Sequence, residues 1–134
     1  MNAIAKKWCR IALLNLLLVA TAGVLLRFKT IFSLPWLNYK FLLHGHSHFA
    51  FAGWVSMFLM AALIGNFPGA MAKKYERLFL LNALAAYGML ASFPFQGYGA
   101  VSISFSTLSV FISWWFAYLC WKDYSSQSGS KLAA

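Results

Sequence analysis

The residues best suited to chemistry are the three histidines of the chain, which lie within five positions, at His44, His46 and His48. They stand at the start of a long apolar stretch, where an ionisable side chain is expensive to bury and usually has a function. The neutral imidazole ring is a common ligand of transition metals and of haem iron. The cluster therefore predicts a metal or haem site, with His44, His46 and His48 as candidate metal ligands.

Helical geometry limits how these three side chains can act together. At about 100° per residue, His44 and His48 lie on one face, about 40° apart, whereas His46 points to the far side. His44 and His48 could clamp one metal ion as an i, i+4 pair, but one straight helix cannot direct all three rings at one ion. If the helix begins only after Gly45, His44 is free to swing.

The spacing alone does not distinguish haem, copper, zinc or a proton relay, and purely structural roles stay open for each ring. His44, near the membrane interface, could simply be solvated. A copper site would use His44 and His48 as ligands, with Met57 or Met60 lining a path for the soft Cu(I) ion. A haem with two axial ligands needs one on each face, so the second would come from Met89, from another subunit or from a part of the protein beyond this chain.

The sequence lacks the residues that other kinds of catalytic site need. Glu76 and Asp123 are the two carboxylates of the chain, and both lie in charged flanks of the apolar segments. The sequence has no paired acid, no activated serine and no glycine-rich phosphate loop. Proton pumping would need carboxylates within the membrane. We therefore expect no catalytic role for this chain alone, and the sequence does not decide whether it belongs to an enzyme.

The composition describes a membrane protein. Of 134 residues, 62% are hydrophobic and 10% are charged, which is too few charges to solvate the surface of a soluble domain. The net charge of +9 comes from small basic clusters between long apolar runs. Such clusters are typical of membrane flanks and not of a phosphate-binding stripe. We therefore expect a lipid bilayer, and no nucleic acid, as partner.

Four segments have the length and apolarity of transmembrane helices. They predict an all-α fold, a four-helix transmembrane bundle within one domain over residues 1–124. The predicted spans lie at about residues 8–27, 42–67, 77–96 and 101–121. Residues 125–128 are predicted to form a C-terminal tail, and residues 129–134, which read GSKLAA, resemble a vector-derived linker.

The basic residues predict the orientation of the bundle. With four spans, the two termini and the middle loop share a side. That side would hold seven basic residues against three in the other loops, not counting Lys131 of the predicted linker. By the positive-inside rule, we expect both termini in the cytoplasm and a multi-pass protein of the inner, or plasma, membrane. Ala20, Thr21 and Ala22 resemble a signal-peptide cleavage site, but we interpret the first apolar run as an uncleaved helix.

Small and weakly polar residues mark the faces on which these helices pack. The fourth span carries a serine stripe at helical spacing, formed by Ser102, Ser106, Ser109 and Ser113. In the third span, a stripe of small residues includes Gly88. Asn15 and Asn82 add side-chain amides to the first and third spans. We expect close helix packing along these faces, with a ligand-lining role as the alternative for Ser102 and Ser106.

Residues 23–66 resemble the first two helices of subunit I of the haem-copper oxidases. The first helix ends in a small-residue stretch and an arginine, reading GVLLR up to Arg27, and a loop with Pro35 follows. The second helix has histidines near its outer start, in the run HGHSHFAFAGW, and ends near Asn66. In that family a histidine at this place binds the low-spin haem.

The resemblance implies a b-type haem with His46 or His48 as axial ligand and with Arg27 beside the propionates. Trp54 is a candidate for an aromatic wall of the porphyrin. The later helices of the family carry the second haem ligand, the copper ligands and a cross-linked tyrosine, and this chain has no counterpart of them. The resemblance therefore does not imply oxygen reduction by this chain alone.

The resemblance also concerns assembly. Subunit I is built from three arcs of four helices, and this chain resembles one arc. That implies a homo-oligomer such as a trimer, additional membrane subunits, or a piece of a larger protein. Three functions stay open: a haem protein in electron transfer or haem sensing, a copper or zinc protein that uses the histidine cluster, and a non-catalytic scaffold or assembly subunit.

Overall fold

The computed structural model describes residues 1–132 of the chain. Four helical stretches are long and apolar enough to cross a membrane: Ala3–Ile31, Tyr39–Asn66, Gly69–Gln96 and Ala100–Ser126. Within residues 1–132, all regular elements are helical and no strand occurs. The predicted all-α fold with four spans is confirmed, and these spans are those of a multi-pass membrane protein.

The first span is one continuous helix, α1 (Ala3–Ile31). Asn2 caps its start: the side-chain oxygen accepts a hydrogen bond from the Ala5 amide at 2.9 Å, and the side-chain nitrogen donates to the carbonyls of Ile64 at 2.7 Å and Phe67 at 3.1 Å. The cap therefore ties the beginning of α1 to the end of the second span. The helix extends through its basic flanks because Lys and Arg are good helix formers.

The second span changes helix type along its length. It begins as α2 (Tyr39–Phe49), widens to a π-helical segment (Ala50–Ser56), returns to α-helix in α3 (Met57–Leu63) and ends in a 3₁₀ turn (Ile64–Asn66). The π-helical segment begins two residues after His48. The backbone geometry therefore changes directly beside the histidine cluster.

The third span begins with a short helix, α4 (Gly69–Lys73), and continues as α5 (Glu76–Gln96). It ends at Gly97, whose φ of 58° favours glycine. A Cβ atom at Gly97 would also lie 2.5 Å from the ring of Phe41, so this turn packs directly on the start of α2.

The fourth span lies in the long helix α6 (Ala100–Leu132). The residues of the predicted tail, 125–128, continue this helix. The predicted linker, residues 129–134, falls partly outside the described residues, because the structure does not describe residues 133 and 134.

Asn2 and Asp123, near the two ends of the chain, lie at one end of the bundle, named here the terminal end, and the histidines lie at the opposite, histidine end. At the terminal end, the Lys7 ammonium lies 2.5 Å from Glu76 Oε1. Asp123 accepts a hydrogen bond from the Tyr75 hydroxyl and forms an ion pair with Lys74. These contacts engage both carboxylates of the chain in joining helices. The cytoplasmic location of this end stays a prediction.

The four spans pack in chain order. α1 lies mainly against the second span, α2 packs against α5, and α5 packs against α6. Two buried clusters hold the bundle together. The cluster toward the terminal end includes Trp8, Met57, Tyr75, Phe79 and Phe116, and the cluster toward the histidine end includes Val19, Phe49, Met89 and Phe93.

Candidate functional site

The histidines lie inside regular helix. α2 begins at Tyr39, five residues before His44, because Asn38 caps it by accepting a hydrogen bond from a backbone amide. The alternative of a later helix start, with His44 free to swing, is therefore not what the structure has. Gly45 brings this helix close to α5, since a Cβ atom there would lie 3.3 Å from Phe93 Cβ.

His48 is held on two sides by its neighbours. Its ring stacks on Phe93 with centroids 4.6 Å apart and an interplanar angle of 17°. Its Nε2 lies 3.4 Å from the Tyr98 hydroxyl, and its Nδ1 lies 3.4 Å from the Ser106 hydroxyl of α6. Both polar contacts are at the long limit of a hydrogen bond, so stacking fixes the ring more firmly than the hydroxyl groups do.

His44 lies on the same face as His48 and shares its aromatic neighbours. The His44 ring lies 4.5 Å from the Tyr98 ring and 6.3 Å from the Phe93 ring, centroid to centroid. The two histidines therefore flank one aromatic pair at the turn between α5 and α6, as their spacing predicts.

His46 faces the opposite direction, toward α1. A Cβ atom on Gly23 would lie 3.4 Å from His46 Cε1, so the glycine leaves room for the imidazole ring. His46 Nδ1 is buried and has no hydrogen-bond partner among the described residues. Such an atom is unusual in a folded protein and needs an explanation, such as a bound water or ligand.

A groove opens beside His48, between the second span and α6. This histidine groove has a volume of about 310 Å³ and is lined by His48, Met89, Ser106, Ser109 and Ser113, among others. The serine stripe thus divides: Ser102 is fully buried and accepts a hydrogen bond from Gln96 Nε2 at 3.2 Å, whereas the next three serines line the groove. Within one stripe, Ser102 therefore packs between helices and the other three serines line the groove.

The structure separates the three candidate metal ligands into a pair and a single ring. His44 and His48 share one face, and His46 lies across the helix from them. Among the side chains that the structure describes, those of residues 1–126, no group of three or more His, Cys, Asp or Glu is placed to hold a metal ion. Zinc sites have three or four protein ligands, so the described side chains supply the His44 and His48 pair but no complete zinc site.

The four residues predicted to bind haem also lie in different places. His48 lines the histidine groove, and His46 faces α1. Arg27 is exposed, four residues beyond Gly23 on α1, and Trp54 is partly buried against both core clusters. Met89 lines the groove together with His48. An imidazole and a thioether on one groove form a donor set that fits haem iron.

Two asparagines support the π-helical segment, and sequence reasoning did not foresee this role. Asn15 Nδ2 donates to the Gly53 carbonyl at 2.6 Å, and Asn82 Nδ2 donates to the Ala52 carbonyl at 2.9 Å. The Tyr87 hydroxyl donates to Asn15 Oδ1 at 2.5 Å. The available signal was two amides inside apolar spans, which must find partners there. π-Helical turns occur frequently at functional sites.

The site described by these contacts is therefore centred on one fixed imidazole, His48, beside a groove that two spans form and a π-helical segment borders. His44 adds a second imidazole on the same face, and Met89 adds a thioether inside the groove. No family model, no curated protein and no solved structure matches this chain.

Proposed function

We propose that this membrane protein binds a b-type haem in the histidine groove, with His48 as axial ligand, and acts in electron transfer or haem sensing. The observation that carries the proposal is the position of His48, whose stacked ring lines a groove between two spans together with Met89. The resemblance of residues 23–66 to the haem-copper oxidases supports the same assignment.

The contacts of His48 suit an iron ligand. A ligating histidine usually donates its second ring N–H to a nearby acceptor, which fixes the tautomer. The Tyr98 hydroxyl, 3.4 Å from Nε2, does not line the histidine groove and is available as that acceptor. Nδ1, which lies beside the groove-lining Ser106, would then carry the lone pair toward the iron. A bound haem would supply one-electron chemistry at this position.

Met89 or a residue of another chain would supply the second ligand of the iron. Met89 is supplied by the same bundle and lines the same groove. α6 packs mainly on α5, so a second copy of this chain or a further membrane subunit could cover the groove from outside. In the oligomeric version of this proposal, the copies of a homo-oligomer, such as a trimer, would share the ligands of the haem iron.

A haem titration of the purified protein in mild detergent tests this assignment. We expect the wild-type chain to develop a Soret band and sharp reduced α and β bands, and His48→Ala to lose them. His44→Ala is the matched control on the same face and should keep them. Equal haem binding by His48→Ala and the wild type would overturn the role of His48.

Two further variants extend the same titration. His46→Ala should keep the spectrum, because its ring faces α1 and not the groove. Met89→Leu should change the reduced spectrum if Met89 is the sixth ligand. An unchanged spectrum in Met89→Leu would assign the sixth ligand to another chain, and a loss of haem specific to His46→Ala would move the site to the α1 side.

A copper or zinc site is the second candidate, favoured by the placement of His44 and His48 around Tyr98. In that case both His44→Ala and His48→Ala should abolish bound metal, as measured by elemental analysis of the purified protein. The effect of His44→Ala separates the two functions, because the haem proposal expects none. Protein that carries neither haem nor metal would favour the scaffold role.

A further inference from the structure

A second groove runs between α5 and α6 on the half of the bundle toward the terminal end. Its volume is about 490 Å³. Its walls are almost entirely apolar, and exposed side chains such as Leu81, Leu108, Phe111 and Trp115 form them. Lys74 and Arg77 are its two charged lining residues, and both lie at the start of the third span. The groove therefore joins a long apolar surface to a basic mouth.

The charge at this mouth is positive even after local ion pairs are counted. Lys74 pairs with Asp123, and Glu76 pairs with Lys7. Arg77 is exposed, and Lys73 joins Lys74 and Arg77 in lining an adjoining cavity. Arg77 thus presents one cation at the mouth, and Lys73 presents a second in the adjoining cavity that shares Lys74 and Arg77 with it. A phosphate group is the anion that Arg and Lys side chains commonly bind.

The length of the groove matches one lipid chain. On α6, its lining residues run from Leu108 to Leu119, a distance of about 16 Å at 1.5 Å per residue. Half of a bilayer's hydrocarbon core is about 15 Å thick. A molecule with its phosphate at Arg77 would therefore reach the bilayer midplane with its acyl chain still in the groove.

From these features we propose that the groove between α5 and α6 is a specific binding site for an anionic phospholipid. The acyl chain lies along Leu81, Leu108 and Phe111, and the phosphate lies between Lys73 and Arg77. Basic pockets between transmembrane helices are known binding places for anionic headgroups. This inference does not depend on the haem proposal, because the groove shares no lining residue with the histidine groove.

Native mass spectrometry of the full chain in mild detergent tests the headgroup contact. The probe is an equimolar mixture of phosphatidylglycerol and phosphatidylcholine with identical acyl chains. We expect phosphatidylglycerol adducts to exceed phosphatidylcholine adducts several-fold, and Arg77→Gln to reduce this preference about fivefold. Lys40→Gln, which removes one exposed charge at the histidine end, is the matched control and should keep the preference.

A second pair of variants tests the apolar wall with all charges in place. Leu81→Trp should fill the groove and reduce phosphatidylglycerol adducts, whereas Leu84→Trp, at an exposed position of α5 outside the groove, should not. Both positions are exposed, so neither substitution disturbs the core, and melting temperatures in phosphatidylcholine check folding.

Three outcomes would overturn the proposal. Equal binding of the two lipids by the wild type would remove headgroup recognition. If Arg77→Gln and Lys40→Gln preferred phosphatidylglycerol equally, headgroup recognition would lie away from Arg77. If Leu81→Trp reduces a dimer signal and not the lipid adducts, a second copy of this chain occupies the groove and not a phospholipid.

Discussion

The side chains of His48 and His46 pack against different helices. His48 faces α5 and α6, with Phe93 against its ring and Ser106 near Nδ1. His46 faces Gly23 of α1. Sequence spacing predicted that the two rings lie on different faces, because helical periodicity fixes that relation. Spacing could not decide which of the two histidines is the haem ligand, because long-range packing sets the neighbour of each face.

The buried amide of Asn15 provides a prediction at the same scale. Asn15→Ala would leave the Gly53 carbonyl and the Tyr87 hydroxyl without their present partner. We expect a loss of about 1 to 2 kcal/mol in the free energy of unfolding, measured by equilibrium unfolding in detergent.

Thr21→Ala is the control for this substitution. Thr21 is exposed, and its hydroxyl donates to the Leu17 carbonyl of the same helix at 2.9 Å. We expect a change smaller than about 0.5 kcal/mol, as for surface substitutions elsewhere. If Asn15→Ala were as stable as Thr21→Ala, the asparagine would not be holding the second span.

At the scale of elements, the existence of the four helices followed from apolar length, but the helix type of the second span did not. The π-helical segment Ala50–Ser56 lies in a sequence that reads as ordinary apolar helix. Its polar contacts come from Asn15 and Asn82, which belong to other spans. A local pattern cannot reveal a distortion whose partners lie more than 25 residues away in sequence.

Close approach of α5 and α6 provides the prediction at this scale. A Cβ atom on Gly88 would lie 2.7 Å from the ring of Phe105, so Gly88→Ala forces the two helices or the ring to move. We expect destabilisation of about 1 to 3 kcal/mol, seen as a lower melting temperature in detergent.

Gly69→Ala is the comparison for this change. Gly69 begins α4, and a Cβ atom there would meet no atom within 4 Å. The melting temperature of this variant should stay close to that of the wild type. If Gly88→Ala had the same melting temperature as Gly69→Ala, glycine would not be needed where α5 and α6 cross.

For the whole molecule, the structure brings Asn2 and Asp123 to one end and packs the spans in chain order. The even number of spans predicted the first feature. The packing of α6 could not be predicted from the serine stripe, because that stripe divides between a buried contact at Ser102 and the histidine groove. Which serines pack and which line a groove depends on how far α6 turns toward the second span.

Membrane orientation is the prediction at this scale. A reporter enzyme that is active only outside the cytoplasm should be inactive when fused after Ser126, because seven basic residues favour the terminal end inside. The same reporter inserted after Leu37, in the loop between α1 and α2, should be active. The reverse pattern of activity would contradict the predicted orientation.

The most direct test of the haem assignment is the reduced-minus-oxidised absorption spectrum of the wild-type protein, purified after expression with haem precursor supplied. Haem bound at His48 in the histidine groove predicts a Soret band with sharp α and β bands in the reduced state. A spectrum without these bands, from protein that is folded and fully helical by circular dichroism, would contradict it.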